Sequence, residues 1–179
     1  MNKKINLKEF TDRQTQASAH GIIKLLIADH KLLRSLMKKV KSNKATQSQK
    51  LLSFKELEKT VHSHVKAEEN SFFKLIKENP TFHDMVFEGY EEHRVHETIF
   101  GGIHRVSDKA RRVQQMEIYC EILDHHLHEE EEDLFPCFIK YSARSTRRKI
   151  GQKFLEIRKK TNKTKNERGA SRFSLNPTP

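Results

Sequence analysis

Apolar residues recur along this chain at helical spacing, in four long stretches separated by short polar breaks. From about Ala19 to Lys41, Ile23, Leu26, Ile27, Leu33, Met37 and Val40 form one stripe, and His30 falls on it. The pattern lapses over Lys41 to Ser48, a run of loop composition. Leu51, Phe54, Leu57, Val61, Val65, Phe72 and Leu75 mark a second helix that ends at Asn79-Pro80, with His64 and Glu68 inside its stripe. A third helix begins near Thr81 and runs through Val86, Gly89, His93, Phe100 and Ile103, with a weak point at Gly101-Gly102. After a turn from Ser107 to Arg112, Met116, Tyr119, Leu123, Leu127, Leu134 and Phe138 define the fourth. Pro136 is expected to stop or bend it around Asp133 to Phe135. His126 and Glu130 share its inward stripe, whereas His125 and Glu129 are rotated off it by about 100°.

Four amphipathic helices with short connections predict an all-α protein, an antiparallel up-down four-helix bundle. No stretch alternates at period two, so no sheet is expected. Ile150, Phe154 and Ile157 predict a short fifth helix over Thr146 to Lys160. The chain thus divides into a flexible arm (1–18), a bundle domain (19–160) and a basic disordered tail (161–179) with too few apolar residues to pack.

Composition supports one domain with a real core: 179 residues, 35% hydrophobic. Two cysteines, Cys120 and Cys137, are too few for a disulfide framework and are expected as buried thiols in a reducing compartment. No apolar run approaches the roughly 18 residues a membrane span needs, and the polar N-terminus lacks a secretory signal's apolar centre. A cytoplasmic protein is the expectation. The net charge of +11 is carried entirely by the end of the chain, where thirteen Lys or Arg follow from Lys140 against only Glu156 and Glu167. The expected role of that tail is a solubilising extension. The alternative is salt-sensitive binding to nucleic acid or an acidic surface, for which Phe173 is the one aromatic beyond the fifth helix.

The chemistry lies in a repeated unit. His64-Val65-Lys66-Ala67-Glu68-Glu69 followed by Phe72-Phe73 is echoed by His126-Leu127-His128-Glu129-Glu130-Glu131 followed by Leu134-Phe135. Upstream of each copy stands an acid and a His, Asp29-His30 and Glu92-His93. The upstream histidines are 63 residues apart and the downstream ones 62, the mark of an internal duplication. Two such units packed face to face gather His30, His64, Glu68, His93, His126 and Glu130. Imidazole suits iron, zinc and copper, and a carboxylate can bridge two ions. His and Glu four apart on one helix face the same way, so each pair can serve neighbouring metals. Without a partner those six groups would cost several kcal/mol to bury, on the order of a few per unsatisfied charge or polar group. Each of two ions would receive two His and one oxygen from each Glu, leaving positions open for a bridging oxygen species and a small ligand.

One interior His is ordinarily a satisfied core residue; four His and two Glu repeated in register are not explained that way. The rest of the acidic run Glu129 to Asp133 is expected as a solvated face, and His20, His62, His83, His104, His125 and His128 as surface residues. Neither His96-Glu97 nor His128-Glu129 is followed by the second His of a zinc protease, and there is no Cys-x-x-Cys and no glycine-rich phosphate loop.

These motifs, in this order over about residues 20 to 160, resemble a hemerythrin-like protein of the His-His-Glu cation-binding class. The resemblance implies a non-heme centre of two Fe ions, oxo- or hydroxo-bridged, held by four His and bridged by two Glu, with dioxygen, nitric oxide or peroxide as ligand. Respiratory hemerythrins carry a second His four residues after the third-helix ligand; here that position is Glu97, with His96 one residue earlier. A lost fifth His tilts the expectation from reversible oxygen storage toward reactivity or sensing. Related iron-sulfur repair proteins often carry a cysteine-bearing N-terminal domain, and related iron sensors an F-box; neither fits in the residues before the first helix. The expected function is a carrier, sensor or scavenger of such ligands. The alternatives are a metal-dependent oxidoreductase reducing peroxide or nitric oxide, or a metal-regulated interaction module.

Overall fold

A computed structural model describes the backbone of residues 7–171 and the side chains of residues 21–161. Among the described residues the chain is helical and has no strand. Helix α1 spans Leu7–Val40 and α2 spans Gln47–Glu68. The latter runs on through a π-helical turn, Glu69–Phe73, into a last α-helical turn, Lys74–Ile76. Helix α3 is His83–Arg105, and α4 is Lys109–Glu129, continued by a second π-helical turn, Glu130–Leu134, and by Phe135–Tyr141. Helix α5 is Arg144–Ser171. The first four form the bundle, and α5 lies against α1 and α2.

Local chemistry sets the boundaries. Thr46 caps α2: its Oγ1 accepts from the Gln49 N–H (3.3 Å) while Gln49 Oε1 accepts from the Thr46 N–H (2.8 Å). Asp108 caps α4, accepting at Oδ1 from the Arg111 N–H at 2.6 Å, so this helix starts inside the segment expected to be a turn. Gly21 interrupts α1 with φ of +74°, a conformation open to glycine at little cost. The backbone of 7–20 is helical ahead of this kink, where a flexible arm over 1–18 was expected.

Three further differences have physical reasons. Gly101 and Gly102 do not break α3, which runs unbroken to Arg105 because neighbouring Phe100 and Ile103, both 2% exposed, anchor that turn in the core. Pro136 does not stop the fourth helix. It stands at the start of the α-helical turn after a π-helical one, where the missing N–H costs least. Helix α5 is not short: its backbone continues past Lys160 to Ser171, through a stretch in which Lys, Glu, Arg and Ala favour a helix without an apolar stripe. The remainder of the expected tail, 172–179, lies outside the described residues. No helix among the described residues is long and apolar enough to cross a membrane.

The core is two apolar clusters with a polar layer between them. One contains Leu33, Leu57, Val61, Phe100, Tyr119 and Leu123. The other contains Leu26, Phe72, Phe73, Val86, Phe135 and Phe154, the last from α5. Along α1, His30 falls between Leu26 and Leu33; along α2, His64 and Glu68 fall between Val61 and Phe72. Large apolar residues therefore seal the layer above and below.

Candidate metal centre

All six residues named from the repeat meet in that layer. His30 and Glu68 are fully buried, and His64, His93, His126 and Glu130 are 1 to 4% exposed. The rings of His30 and His64 stand edge to face at 5.2 Å, those of His93 and His126 at 5.0 Å. Glu68 Oε2 lies 3.5 Å from His64 Nε2 and 3.7 Å from His93 Nε2, so this carboxylate spans the two pairs. Glu130 does the same from the other side, 3.3 Å from His30 Nε2 and 3.9 Å from His126 Nε2.

Each ring is turned by a carboxylate outside this set. Nδ1 of His30 donates to Glu131 (2.8 Å), His64 to Asp29 (3.3 Å), His93 to Glu69 (2.9 Å) and His126 to Glu92 (2.6 Å). A carboxylate only accepts, so each ring carries a proton on Nδ1, and in the neutral ring the Nε2 lone pair faces inward; burial lowers His126, but Glu130 and Glu92 raise it overall. The pattern obeys the duplication: the acid before the upstream His holds the downstream His of its own unit, and the acid after the Glu holds the upstream His of the other unit. Glu131 was expected to be a solvated member of the acidic run. Instead, Arg34 Nη1 reaches its Oε1 at 2.7 Å, and this guanidinium with His30 holds Glu131 below the usual range against a burial effect that raises it. Asp29 is likewise raised by burial but held low overall by His64 and by Arg158, which donates to it from α5.

The result is a group of acceptors facing one another. The four Nε2 atoms and both oxygens of Glu68 and of Glu130 are buried without a hydrogen-bond partner. Leaving such atoms unsatisfied costs roughly 1 to 3 kcal/mol each. Two ligand atoms on one metal, each at about 2.1 Å, lie roughly 3 to 3.4 Å apart, close to the 3.3 to 3.9 Å found. The donor set therefore fits cations. His30, His64 and Glu130 form one group able to hold an ion, and His93, His126 and Glu130 a second. Protonation follows the same demand. Burial, then the Glu130 charge, raises Glu68 well above the usual carboxylate range. Burial lowers His64 to about 4, keeping it neutral at pH 7.

His96 is the residue that helical spacing alone did not assign. It is 2% exposed, its ring lies 5.2 Å from that of His126, and both its nitrogens are unpartnered. Burial lowers it to about 3, so it is a neutral ring with a free lone pair. Glu97, one residue on, is turned outward and accepts from His62 at 2.6 Å. Position 96 lies on the stripe of His93 and Phe100, three and four residues away, and that was the available signal. His83, His104, His125 and His128 are exposed and His62 half-buried, while the side chain of His20 is outside the described residues. Cys120 is buried, and its thiol is pushed up to about 12 by that burial, whereas Cys137, also expected to be buried, is half-buried because it faces the edge of its apolar cluster.

No curated protein and no solved structure gave a significant match to the chain. A family model, the hemerythrin HHE cation binding domain, matches residues 21–166, the span that contains every residue of this layer. The chain belongs to the hemerythrin HHE cation-binding family.

Proposed function

We propose that this protein is a non-heme di-iron protein that binds dioxygen, or its relatives nitric oxide and peroxide, as carrier, sensor or scavenger. His30 and His64 hold one iron, His93 and His126 the other, and Glu68 and Glu130 bridge them. The observation that carries the reading is the convergence of four buried, unpartnered Nε2 atoms on two buried, unpartnered carboxylates. Iron bound there supplies a redox-active Lewis acid for a small diatomic or peroxidic ligand.

His96 refines the assignment. It adds a third imidazole on the His93–His126 side, and the His30–His64 side keeps fewer protein ligands and is the side for the exogenous ligand. We assign the fifth His, expected to be lost because position 97 is Glu, to His96, whose buried and unpartnered ring lies beside His126. This favours ligand binding over turnover. The chain's own part is to hold the Nδ1 protons with Asp29, Glu69, Glu92 and Glu131, and to exclude water with the apolar clusters on either side.

Elemental analysis of the purified protein, with optical spectra of the reduced form before and after oxygen, nitric oxide and peroxide, tests the proposal. About two irons per chain and a spectrum that responds to one of these ligands is the expected result. Zinc alone, or no iron after anaerobic reconstitution, would overturn it.

A further inference from the structure

A cleft of about 980 Å³ opens where α2, α3 and α5 meet, and it reaches His93 on the outer side of the buried layer. Its walls are dominated by cations from all three helices: Lys66 and Lys74 from the α2 segment, Arg94 from α3, and Lys153 and Lys160 from α5. Two carboxylates share the lining, and each is engaged by a histidine, Glu69 by His93 at 2.9 Å and Glu97 by His62 at 2.6 Å. Arg94 and Lys153 pair with Glu91 (2.9 Å) and Glu156 (3.6 Å), which are not part of the lining. Lys66 and Lys74 have no ion pair among the described residues. Five Lys or Arg against two carboxylates, both already engaged, leave the lining with a net positive charge, and the unpaired part of it lies on Lys66 and Lys74. The size is that of a small-molecule site, and Val65 and Ile157 offer apolar contact between the charged walls.

We propose that this cleft binds a small molecule carrying two or more phosphate groups, held between the lysines of α2 and the basic face of α5. The cations stand on three helices around one space, so a ligand with two or more phosphates can engage more than one wall at once. Lysine serves phosphate as a point charge and Arg94 as a fork. No Phe, Tyr or Trp lines the space, and the rings of its two histidines are engaged by Glu97 and Glu69, so the charged groups of the ligand are what it recognises. The proposal does not depend on which metal or gas the buried centre takes.

Calorimetric titration of the full-length protein with fructose 1,6-bisphosphate, and separately with inorganic phosphate, tests it, with metal content checked before and after. The expected result is one saturable site per chain that prefers the bisphosphate. In Lys66→Ala/Lys74→Ala affinity falls about tenfold or more, as loss of charge-assisted contacts predicts. The control Lys38→Ala/Lys39→Ala makes the same charge change at exposed positions near the end of α1, and keeps the affinity. Both double variants alter exposed side chains, and an unchanged melting temperature confirms folding. Absence of saturable binding, several sites per chain, equal affinity for phosphate and bisphosphate, or an equal loss in the control would each overturn the proposal.

Discussion

At the residue scale, the inner groups depend on outer ones that no metal touches. Phe73 stacks on His93 at 5.5 Å and 9°, and Phe135 stacks on His30 at 5.5 Å and 28°, so the duplication extends to the rings that back the ligands. Phe73 can lie there because position 89 has no side chain: a Cβ on Gly89 would fall 2.8 Å from its Cζ. Gly89→Ala should therefore weaken iron binding by severalfold while leaving every proposed ligand in place, although alanine suits a helix better by about 1 kcal/mol. Unchanged iron affinity in a chelator competition would show that Phe73 does not position His93. At His96 the expectation is sharper. His96→Phe fills the space and removes two unsatisfied nitrogens, so the metal-free protein should melt no lower than the parent, yet the loaded protein should lose a ligand and shift its optical spectrum. A parental spectrum would mean His96 is not a ligand. The six repeated residues were legible because their types recur in register on helical stripes. His96 was not, because a lone histidine at spacing three looks like any core residue until its missing partners are seen. The role of Glu131 was hidden in a run of five acids, though its repeat partner Glu69 stands at the same offset.

At the scale of elements, the π-helical turns Glu69–Phe73 and Glu130–Leu134 begin within a residue of each proposed bridging glutamate. A widened turn takes up one extra residue, and here it lets consecutive large side chains both face inward: Phe72 and Phe73 are fully buried, and Leu134 and Phe135 are 3% and 2% exposed. Periodicity at 3.6 places only one of each pair inside, so the turns were not legible although the apolar pairs were. Helix α5 was half legible for a related reason. Its apolar side, Ile150 and Phe154, announces an element, but its length rests on charged residues that leave no periodic trace. That helix braces the centre, since Arg158 donates to Asp29, which in turn holds His64. Arg158→Met keeps most of the packing and removes the charge. It should weaken iron uptake on the His30–His64 side by about 10- to 100-fold, the range seen for outer-shell partners, with little change in melting temperature. A large loss of stability with parental iron affinity would make Arg158 a structural brace only.

At the scale of the molecule, the buried layer sets apolar packing against uncompensated charge. The fold holds together through two clusters that flank the layer, while the layer itself opposes folding wherever its acceptors lack a cation. Protonation partly stands in for one. Burial and Glu130 raise Glu68, so in the metal-free protein it carries a proton that an unfolded chain would have lost. A raised carboxylate contributes stability below its ordinary range near pH 4.5, and that contribution is lost as pH rises through its folded value. His64 and His96 act in the opposite sense: lowered by burial to about 4 and about 3, they withdraw stability as pH falls below about 6.5, where the unfolded chain binds protons that the folded one refuses. The metal-free protein is thus pressed from both sides, by neutral histidines in acid and by Glu68 as pH rises. In the proposed di-iron form Glu68 would bridge as a carboxylate, so loading with iron would expel its proton. Uptake should therefore release protons and tighten with rising pH until Glu68 is ionised in the free protein. Calorimetry of Fe(II) binding under anaerobic conditions, repeated in buffers of different ionisation enthalpy, measures that release. In Glu68→Gln it should fall by about one proton, whereas a release unaffected by that substitution would mean that protons leave from the histidines instead.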